Sequence, residues 1–478
     1  MLTSDQTEKL IDMKNLPRRD LGRGHKFLPR MIAVALVSMP LAGCDIDELL
    51  TVPDPEVATP EVLEGESGLP LLLAGAQTDF QLAFSGGTSE GQIAISGLFT
   101  DELHYTSTFP TRIEVDRREI LNTNSTMETI HRQLQRARAS AQRAVTSFDE
   151  FGTNTGGQAE SLSLLGYTYL LFAENYCSGV PFSSLTATGE TVYGDPQTTV
   201  QMLEAAVTAF NSAIGAATAA KAPAQLSLAR VGLGRALLNL GRYAEAATAV
   251  RDVPTSFVHL VEHSENSGRQ ENAMFTYQWL GRRWSVADRQ GTNGLAYRSD
   301  DDPRVPWARG TGNLLNGFDG SPLYLQFKYD SRSTPSVLAS GTEARLIEAE
   351  AALQAGSTGA FLNTLNELRA TPAAYYDAAH FPNIGALAPL TLPTTAGGRV
   401  ELLFKERAYW MYGTSHRLGD LRRLIRQYGR TEDGVFPVGE YGTWNADKGG
   451  EYGNDVNFPI PIDEENNPNF TQCLDRNA

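Results

Sequence analysis

Between Glu128 and Phe148, apolar residues return every three or four positions, at Ile130, Leu134, Ala137, Ala141 and Val145. That period predicts a helix with one face on a core, and no Gly or Pro interrupts the stretch. Residues 158–176 are apolar and aromatic on more than one side (Leu164, Leu165, Tyr167, Tyr169, Leu170, Phe172), which suits a central helix. Two more helices are expected at about 197–219 and 224–240. The period then fails. Residues 255–335 are rich in Gly, Asp, Asn, Pro and aromatics, and only 255–262 and 322–329 alternate as short strands would. A loop-rich insert between helical blocks is where a site is expected, because a scaffold positions loops and loops carry function.

Leu240-Gly-Arg-Tyr243-Ala-Glu-Ala246, ending at Pro254, resembles the turn and second helix of a tetratricopeptide unit. In that reading the Gly lets two backbones approach, Tyr243 packs into the pair and Ala246 keeps the crossing tight. A second pair is expected at 342–369. The periods are irregular, so a few helix pairs are expected and not a long solenoid.

The N-terminus has a different grammar. Lys14, Arg18, Arg19, Arg23, Lys26 and Arg30 precede a short apolar run from Met31 to Ala42, the order of a secretory signal. The run ends Leu41-Ala42-Gly43-Cys44, which resembles the bacterial lipoprotein cleavage box. There the small residues admit the peptidase and the Cys44 thiol accepts lipid; several acyl chains on one residue hold a protein to a bilayer. Residues 1–43 are thus expected to be a lipoprotein signal peptide, with Met13 a candidate start. Arg18-Arg19 hints at twin-Arg export. Asp45-Ile-Asp-Glu48 resembles the surface-export signal of lipoproteins in Bacteroidetes-type bacteria, so residues 44–66 read as an acidic tether on an outer membrane facing the exterior.

Charge removes one class of partner. The leader holds seven basic and four acidic residues; of the chain's 40 Lys/Arg and 56 Asp/Glu the remainder keeps 33 and 52, a net of −19. With no basic stripe to offset it, that surface repels a phosphate backbone, which argues against nucleic acid. At 41% hydrophobic and 20% charged, the chain can bury a large core. Cys177 and Cys473 remain once Cys44 is assigned to lipid, and sequence alone leaves open whether they pair or stay separate thiols.

With these pieces placed, the chain resembles the SusD/RagB family of nutrient-binding outer-membrane lipoproteins. The resemblance rests on Tyr169-Leu-Leu-Phe-Ala-Glu-Asn-Tyr176 leading to Gly179-Val-Pro181, then Asp302-Pro-Arg304, then Arg345-Leu-Ile-Glu-Ala-Glu350 with Asn363, Asn366 and Arg369. Glu406-Arg407, Arg417-Leu-Gly-Asp420-Leu-Arg-Arg423, Phe458-Pro-Ile-Pro461 and Asn467-Pro468 complete the order. Tyr409-Trp410 and His416-Arg417 depart from the family's pattern and point to a distant subfamily. The resemblance implies a mainly α, SusD-like helical fold with tetratricopeptide-type helix pairs and a loop-rich insert with a few short strands. It implies a domain at 67–478, with scaffold at 67–254 and 336–430, a binding region at 255–335 and closing loops at 431–478. It also implies a lid over a SusC-like TonB-dependent transporter and binding of glycan or peptide.

Several clusters compete for chemistry. Glu406, Arg407, Arg417, Asp420, Arg422 and Arg423 are dense, but their spacing favours ion pairs that lock helices over a ligand site. Asp300-Asp-Asp302 lacks the alternating ligands of a calcium loop and reads as a solvated turn. His259 and His263 have no third ligand and no zinc-protease motif between them. No Gly-x-Ser-x-Gly, phosphate loop or dinucleotide fingerprint occurs. The reading therefore assigns no enzyme activity, catalytic residue, metal or cofactor. A helical scaffold for another envelope protein and an envelope glycoside hydrolase are the alternatives. The positive case is aromatic: sugars present apolar C–H faces that stack on rings, with polar neighbours for the hydroxyls. Trp284 with Arg282, Arg283 and Asp288, Tyr297 with Asn293 and Arg298, Trp307, and the stretch Asp101-Glu-Leu-His104-Tyr105 through Phe109 fit that mix. Tyr105, Phe109, Trp284, Tyr297 and Trp307 are the candidate ligand-binding residues.

Overall fold

Side chains that satisfy orphan backbone N–H groups set where the helices begin. Asn124 accepts from the backbone N–H of Thr126 and Met127 at 3.0 and 3.1 Å, opening Ser125–Phe151. Thr198 and Gln201 form a reciprocal capping box before Thr199–Ala219, and Ser340 caps Gly341–Gln354. The computed structural model describes residues 65–186, 189–372, 384–445, 448–470 and 472–478. The expected signal peptide, the lipidation site Cys44 and nearly all of the tether lie outside the described residues.

In chain order, α1 is Leu69–Phe84, α2 Gln92–Phe99, β1 Leu103–Tyr105, α3 Pro110–Asp116, α4 Ser125–Phe151 and α5 Gly156–Asn175. Two-residue strands β2 to β5 (Val180–Pro181, Ser184–Leu185, Thr191–Val192, Pro196–Gln197) lead to α6 Thr199–Ala219, α7 Pro223–Asn239 and α8 Tyr243–Val250. The insert holds β6 Val258–Val261, β7 Trp284–Val286, β8 Trp307–Arg309 and β9 Tyr324–Gln326. β10 Ser336–Ser340 returns the chain to α9 Gly341–Gln354, α10 Thr358–Ala370, α11 Ala396–Trp410 and α12 Arg417–Tyr428. The fold is mainly α.

Helices pack in series: α4 on α1, α5 on α4, α6 on α5, α7 on α6, α8 on α7, α9 on α8 and α10 on α9. Glycines set the closeness of two of these contacts. A Cβ on Gly166 of α5 would stand 2.8 Å from the Phe210 ring of α6, and one on Gly232 of α7 only 2.3 Å from it. Phe210 is thus a knob seated between two helices that have no side chain there. Gly241 does not act this way. It has φ +74° and open space around its Cβ position, so it supplies a left-handed turn rather than a close approach. Nor is Tyr243 sunk in its own pair: half-buried, it donates to Gln427 of α12 at 3.2 Å. Ala246 is buried, as expected.

β6 pairs antiparallel with β10 across the base of the insert, so its closing strand occupies the residues expected to begin the second helical block. The partner lies about 75 positions away along the chain, and pairing of that kind leaves no local signal.

Buried guanidinium–carboxylate bonds tie the C-terminal helices to everything else. Asp420 accepts two bonds from Arg407 at 2.9 Å and one from Arg423 at 2.8 Å, and Arg423 continues to Glu350 of α9. Glu406 accepts from Arg304 at 2.7 and 3.1 Å and from Arg369 of α10 at 2.8 Å, and Arg304 also holds Asp302. Arg417 grips Asp101 at 2.7 and 2.8 Å. The cluster is the helix lock that its spacing suggested, except at Arg422, which donates to the backbone carbonyls of Ala173, Glu174 and Tyr176 in place of an ion pair. The turn expected at Asp300–Asp302 is there with Asp300 and Asp301 exposed, and it is also bonded: Asp300 takes Lys405 and the Tyr409 hydroxyl while Asp302 faces Arg304. A disulfide between Cys177 and Cys473, with Cα atoms 5.9 Å apart, fastens the Gly179-Val180-Pro181 turn to the C-terminal tail and answers the pairing left open by sequence.

Burial pushes the Asp420 carboxyl up, but the adjoining Arg407 and Arg423 outweigh it and hold it below the usual carboxylate range. Asp420→Asn therefore leaves two buried guanidiniums short of their counter-charge, and denaturant unfolding should show a loss of about 3–5 kcal/mol. A loss below about 1 kcal/mol, the scale of an exposed pair, would remove this network from its structural role.

Candidate functional site

β1 and β7 pair antiparallel with Tyr105 opposite Trp284, His104 opposite Ser285 and Leu103 opposite Val286. This register sets the two sequence regions that carried the aromatic argument side by side. It also buries their strand rings. Tyr105 and Trp284 are both at 0% exposure, Tyr105 beneath Lys448 and Trp284 edge-on beneath Tyr277 at 5.8 Å. Tyr297 is equally buried, packed between Tyr409 and Tyr412 at 5.3 and 5.2 Å. Trp307 is half-buried against the edge of Tyr324 and the same core cluster. Phe109 is 47% exposed. Of the expected ligand-binding rings, Tyr105, Trp284 and Tyr297 present no face to solvent, whereas Phe109 presents one.

The solvent-facing rings sit one layer out. Where β1 ends, Thr106 donates from its N–H to Arg283 O at 2.8 Å and from its hydroxyl to Arg282 O at 3.0 Å, which fixes Arg282-Arg283 beside the Phe109 turn. The Arg283 guanidinium lies 4.3 Å from the Tyr277 ring centre and 5.3 Å from that of Phe109; Arg112 approaches Phe109 from elsewhere, also at 5.3 Å. Beneath them Glu90, 1% exposed, accepts two bonds from Arg112 at 3.0 Å and one from Arg283 at 3.2 Å. Arg282 takes a left-handed φ of +46°, rare for a side chain of its size, and its guanidinium covers the Phe318 ring at 4.2 Å. Phe318 is 57% exposed. Its loop is held by Arg309, which bonds Leu323 O at 2.9 Å, and by Gly317, whose Cβ would lie 2.2 Å from Thr106 O.

Local backbone sorts the rings. A π-helical turn at Thr276–Leu280 sends Trp279 into the insert core, where it stacks on Phe275 and meets Phe327 edge-on. Tyr277 stays near the surface, its hydroxyl donating to Thr88 O at 2.5 Å. Such turns recur at functional positions. The result is a row of rings on consecutive arginines: Phe109 and Tyr277 share the Arg283 guanidinium, and Phe318 lies under that of Arg282. Rings offer apolar faces and Arg N–H groups offer donors, a combination that holds a sugar ring without transforming it. Tyr277 and Phe318 were visible only as members of an aromatic-rich stretch. No local signal marked either ring, because the paired strands beside them are three residues long and buried throughout.

Other expected partners are spent on structure. Asp288 accepts from the backbone of Arg298 and Ser299, and Asn293 donates to Phe436 O. His259 and His263 line a cavity of about 400 Å³ with Gln77, Glu160, Glu262 and Gln270. Burial pushes the His263 imidazole down to about 4. Among the described residues, no three His, Cys, Asp or Glu side chains stand together as a metal would need.

No family model and no curated protein matches the chain. Its fold, however, matches solved structures of the SusD superfamily. One from Bacteroides thetaiotaomicron, at 14% identity, superposes with a TM-score of 0.60 over 86% of this chain and 100% of its own. A SusD-like carbohydrate binding protein from Bacteroides vulgatus gives 0.59 at 15% identity, covering 85% of this chain and 98% of its own. Surface glycan-binding protein A from Bacteroides uniformis gives 0.59 at 14% identity with the same coverage. The fold is therefore SusD-like.

Two buried carboxyls back β1. Burial pushes Glu102 up to about 7 against the lowering hydrogen bond from Gly413 N–H, and pushes Asp116 up to about 7 although it accepts from Tyr105 N–H and the Tyr441 hydroxyl. Both bind a proton more tightly folded than unfolded. Their contribution is therefore full below the unfolded values of 4.5 and 3.8 and is lost as pH rises through about 7. Denaturation at several pH values between 4 and 8 should show Glu102→Gln and Asp116→Asn each flattening the decline by about 1 kcal/mol or more. An unchanged slope in both variants would contradict this titration.

Proposed function

We propose that this chain is a SusD-type lipoprotein of the outer-membrane surface. It captures a glycan on the Phe109–Tyr277–Phe318 row and delivers it to a SusC-like TonB-dependent transporter. The observation that carries the reading is this set of rings: Phe109 and Phe318, open to solvent, and half-buried Tyr277, each met by a guanidinium next to a strand pair that is anchored from behind. The carboxylate at its centre, Glu90, is buried and held by two arginines. A group so engaged is poorly placed to act as a general acid or base, which favours binding over hydrolysis.

Three further features support it. Two solved structures of the same fold are described as carbohydrate- or glycan-binding proteins. The Cys177–Cys473 disulfide suits an oxidising compartment outside the cytoplasm. The basic leader, short apolar run and Leu41-Ala42-Gly43-Cys44 supply export and an anchor in the order a lipoprotein needs. No helix among the described residues is long and apolar enough to cross a membrane, so the proposed attachment is the Cys44 lipid.

Two measurements test this reading. A glycan array followed by calorimetry should identify a bound oligosaccharide. Phe109→Ala and Phe318→Ala should each weaken it about tenfold, because exposed rings carry the stacking, with little change in melting temperature. Full affinity in both variants, or no bound glycan at all, would defeat the placement or the reading respectively. Separately, Cys44→Ser should move the protein from the membrane to the soluble fraction. Retention in the membrane would remove lipid as its anchor.

A further inference from the structure

The donors beside these rings are charged, where neutral amides alone would serve the hydroxyls of an uncharged sugar. The rings are flanked by three guanidiniums. Arg112 and Arg283 share one buried carboxylate, Glu90, so that group of three carries one uncompensated positive charge. Arg282 adds a second. Its Nη1 donates to Asn313 O at 3.1 Å, and among the described residues no ion pair engages it. The nearby Asp319 is answered by Lys448 at 2.8 Å and contributes little net charge. The aromatic row therefore lies in a local excess of about two positive charges, on a chain whose formal net charge is −16.

The geometry of Arg282 sharpens the point. Its backbone is in the left-handed region with its carbonyl bonded by the Thr106 hydroxyl, and its guanidinium carbon sits 4.2 Å over the centre of an exposed ring. A guanidinium stacked in this way keeps in-plane N–H groups for a second partner, and its fork matches two oxygens of one anionic group. Stacking also lowers the freedom lost when such a group binds.

Resting on the glycan-binding reading above, we propose that this row selects anionic oligosaccharides over neutral ones. Rings of the sugar chain stack on Phe109 and Phe318, and a carboxylate or sulfate ester of the chain meets the Arg282 fork. A uronate carboxylate and the tetrahedral sulfate ester of a sulfated sugar can each turn two anionic oxygens towards such a fork, so either can fill the position. The acidic remainder of the surface works against loose accumulation of anions, which confines recognition to this row.

Calorimetry on the soluble mature chain tests the proposal with three probes of equal length: oligogalacturonate, a sulfated oligosaccharide and a neutral xylo-oligosaccharide. At least one anionic probe is expected to bind about tenfold or more tighter than the neutral one at about 0.05 M salt, with the margin shrinking towards about 0.5 M as screening sets in. The stronger of the two anionic probes identifies the group. Arg282→Gln should erase most of the margin, weakening the anionic probe far more than the neutral one with little change in melting temperature, and Arg282→Lys, with charge but no fork, should recover part of it. Equal, salt-independent binding of neutral and anionic sugars overturns the selectivity and leaves the glycan reading standing. If no sugar binds, or if an acidic peptide binds in preference to every sugar, the selectivity and the glycan reading fall together.

Discussion

The structure hangs on Asp420 and the two guanidiniums that share it. Charges taken out of water are tolerable only in close, well-formed pairs, so a buried network admits few arrangements of the elements that supply it. Here the suppliers are far apart in sequence. Arg407 comes from α11, Arg423 and Asp420 from α12, and Glu350 from α9. Through Arg304, the neighbouring Glu406 brings in the loop-rich insert, and through Arg369 it brings in α10. Apolar packing alone would let these helices slide by small amounts; bidentate bonds fix their register.

The same constraint reaches the candidate site. Arg417, on the helix that carries Asp420, holds Asp101 just ahead of β1, and Asp101 in turn accepts from Leu295 N–H in the insert. Glu102 accepts from Gly413 N–H between α11 and α12. β1 is therefore positioned from its N-terminal side by the ion-pair core, and β7 is positioned by pairing with β1. What is then displayed depends on where the pairing stops, since both strands are buried throughout. The rings of Tyr105 and Trp284 become foundation, and the residues just beyond the pairing, Arg283, Arg282 and Phe109, become surface.

This explains how near the sequence came to the site, and where it stopped. Both strand-bearing segments stood out beforehand, because 101–109 carries His104, Tyr105 and Phe109 and because aromatic and Arg residues concentrate in 277–298. Which ring faces outward was not legible, since a strand of three residues is too short for its own pattern to declare a face. Phe318 and Glu90 enter through a glycine contact and a turn, neither of which has a sequence period. In the helical part the reverse held: Ile130, Leu134, Ala137 and Ala141 are all at 0% exposure, as their spacing demands.

By itself, then, the sequence determined the mainly α character, the order of the helix pairs, the interruption at 255–335 and the pairing chemistry of the charged motifs. Each of these is written in local period or in residue type. Tertiary structure alone decided that Cys177 meets Cys473, that β6 closes on β10, that Asp300 is bonded, that Arg283 joins Phe109 to Tyr277, and that Arg282 covers Phe318. Those outcomes depend on contacts between residues dozens to hundreds of positions apart. Their free energy is gained only once the intervening chain is folded, so no local stretch carries their signature.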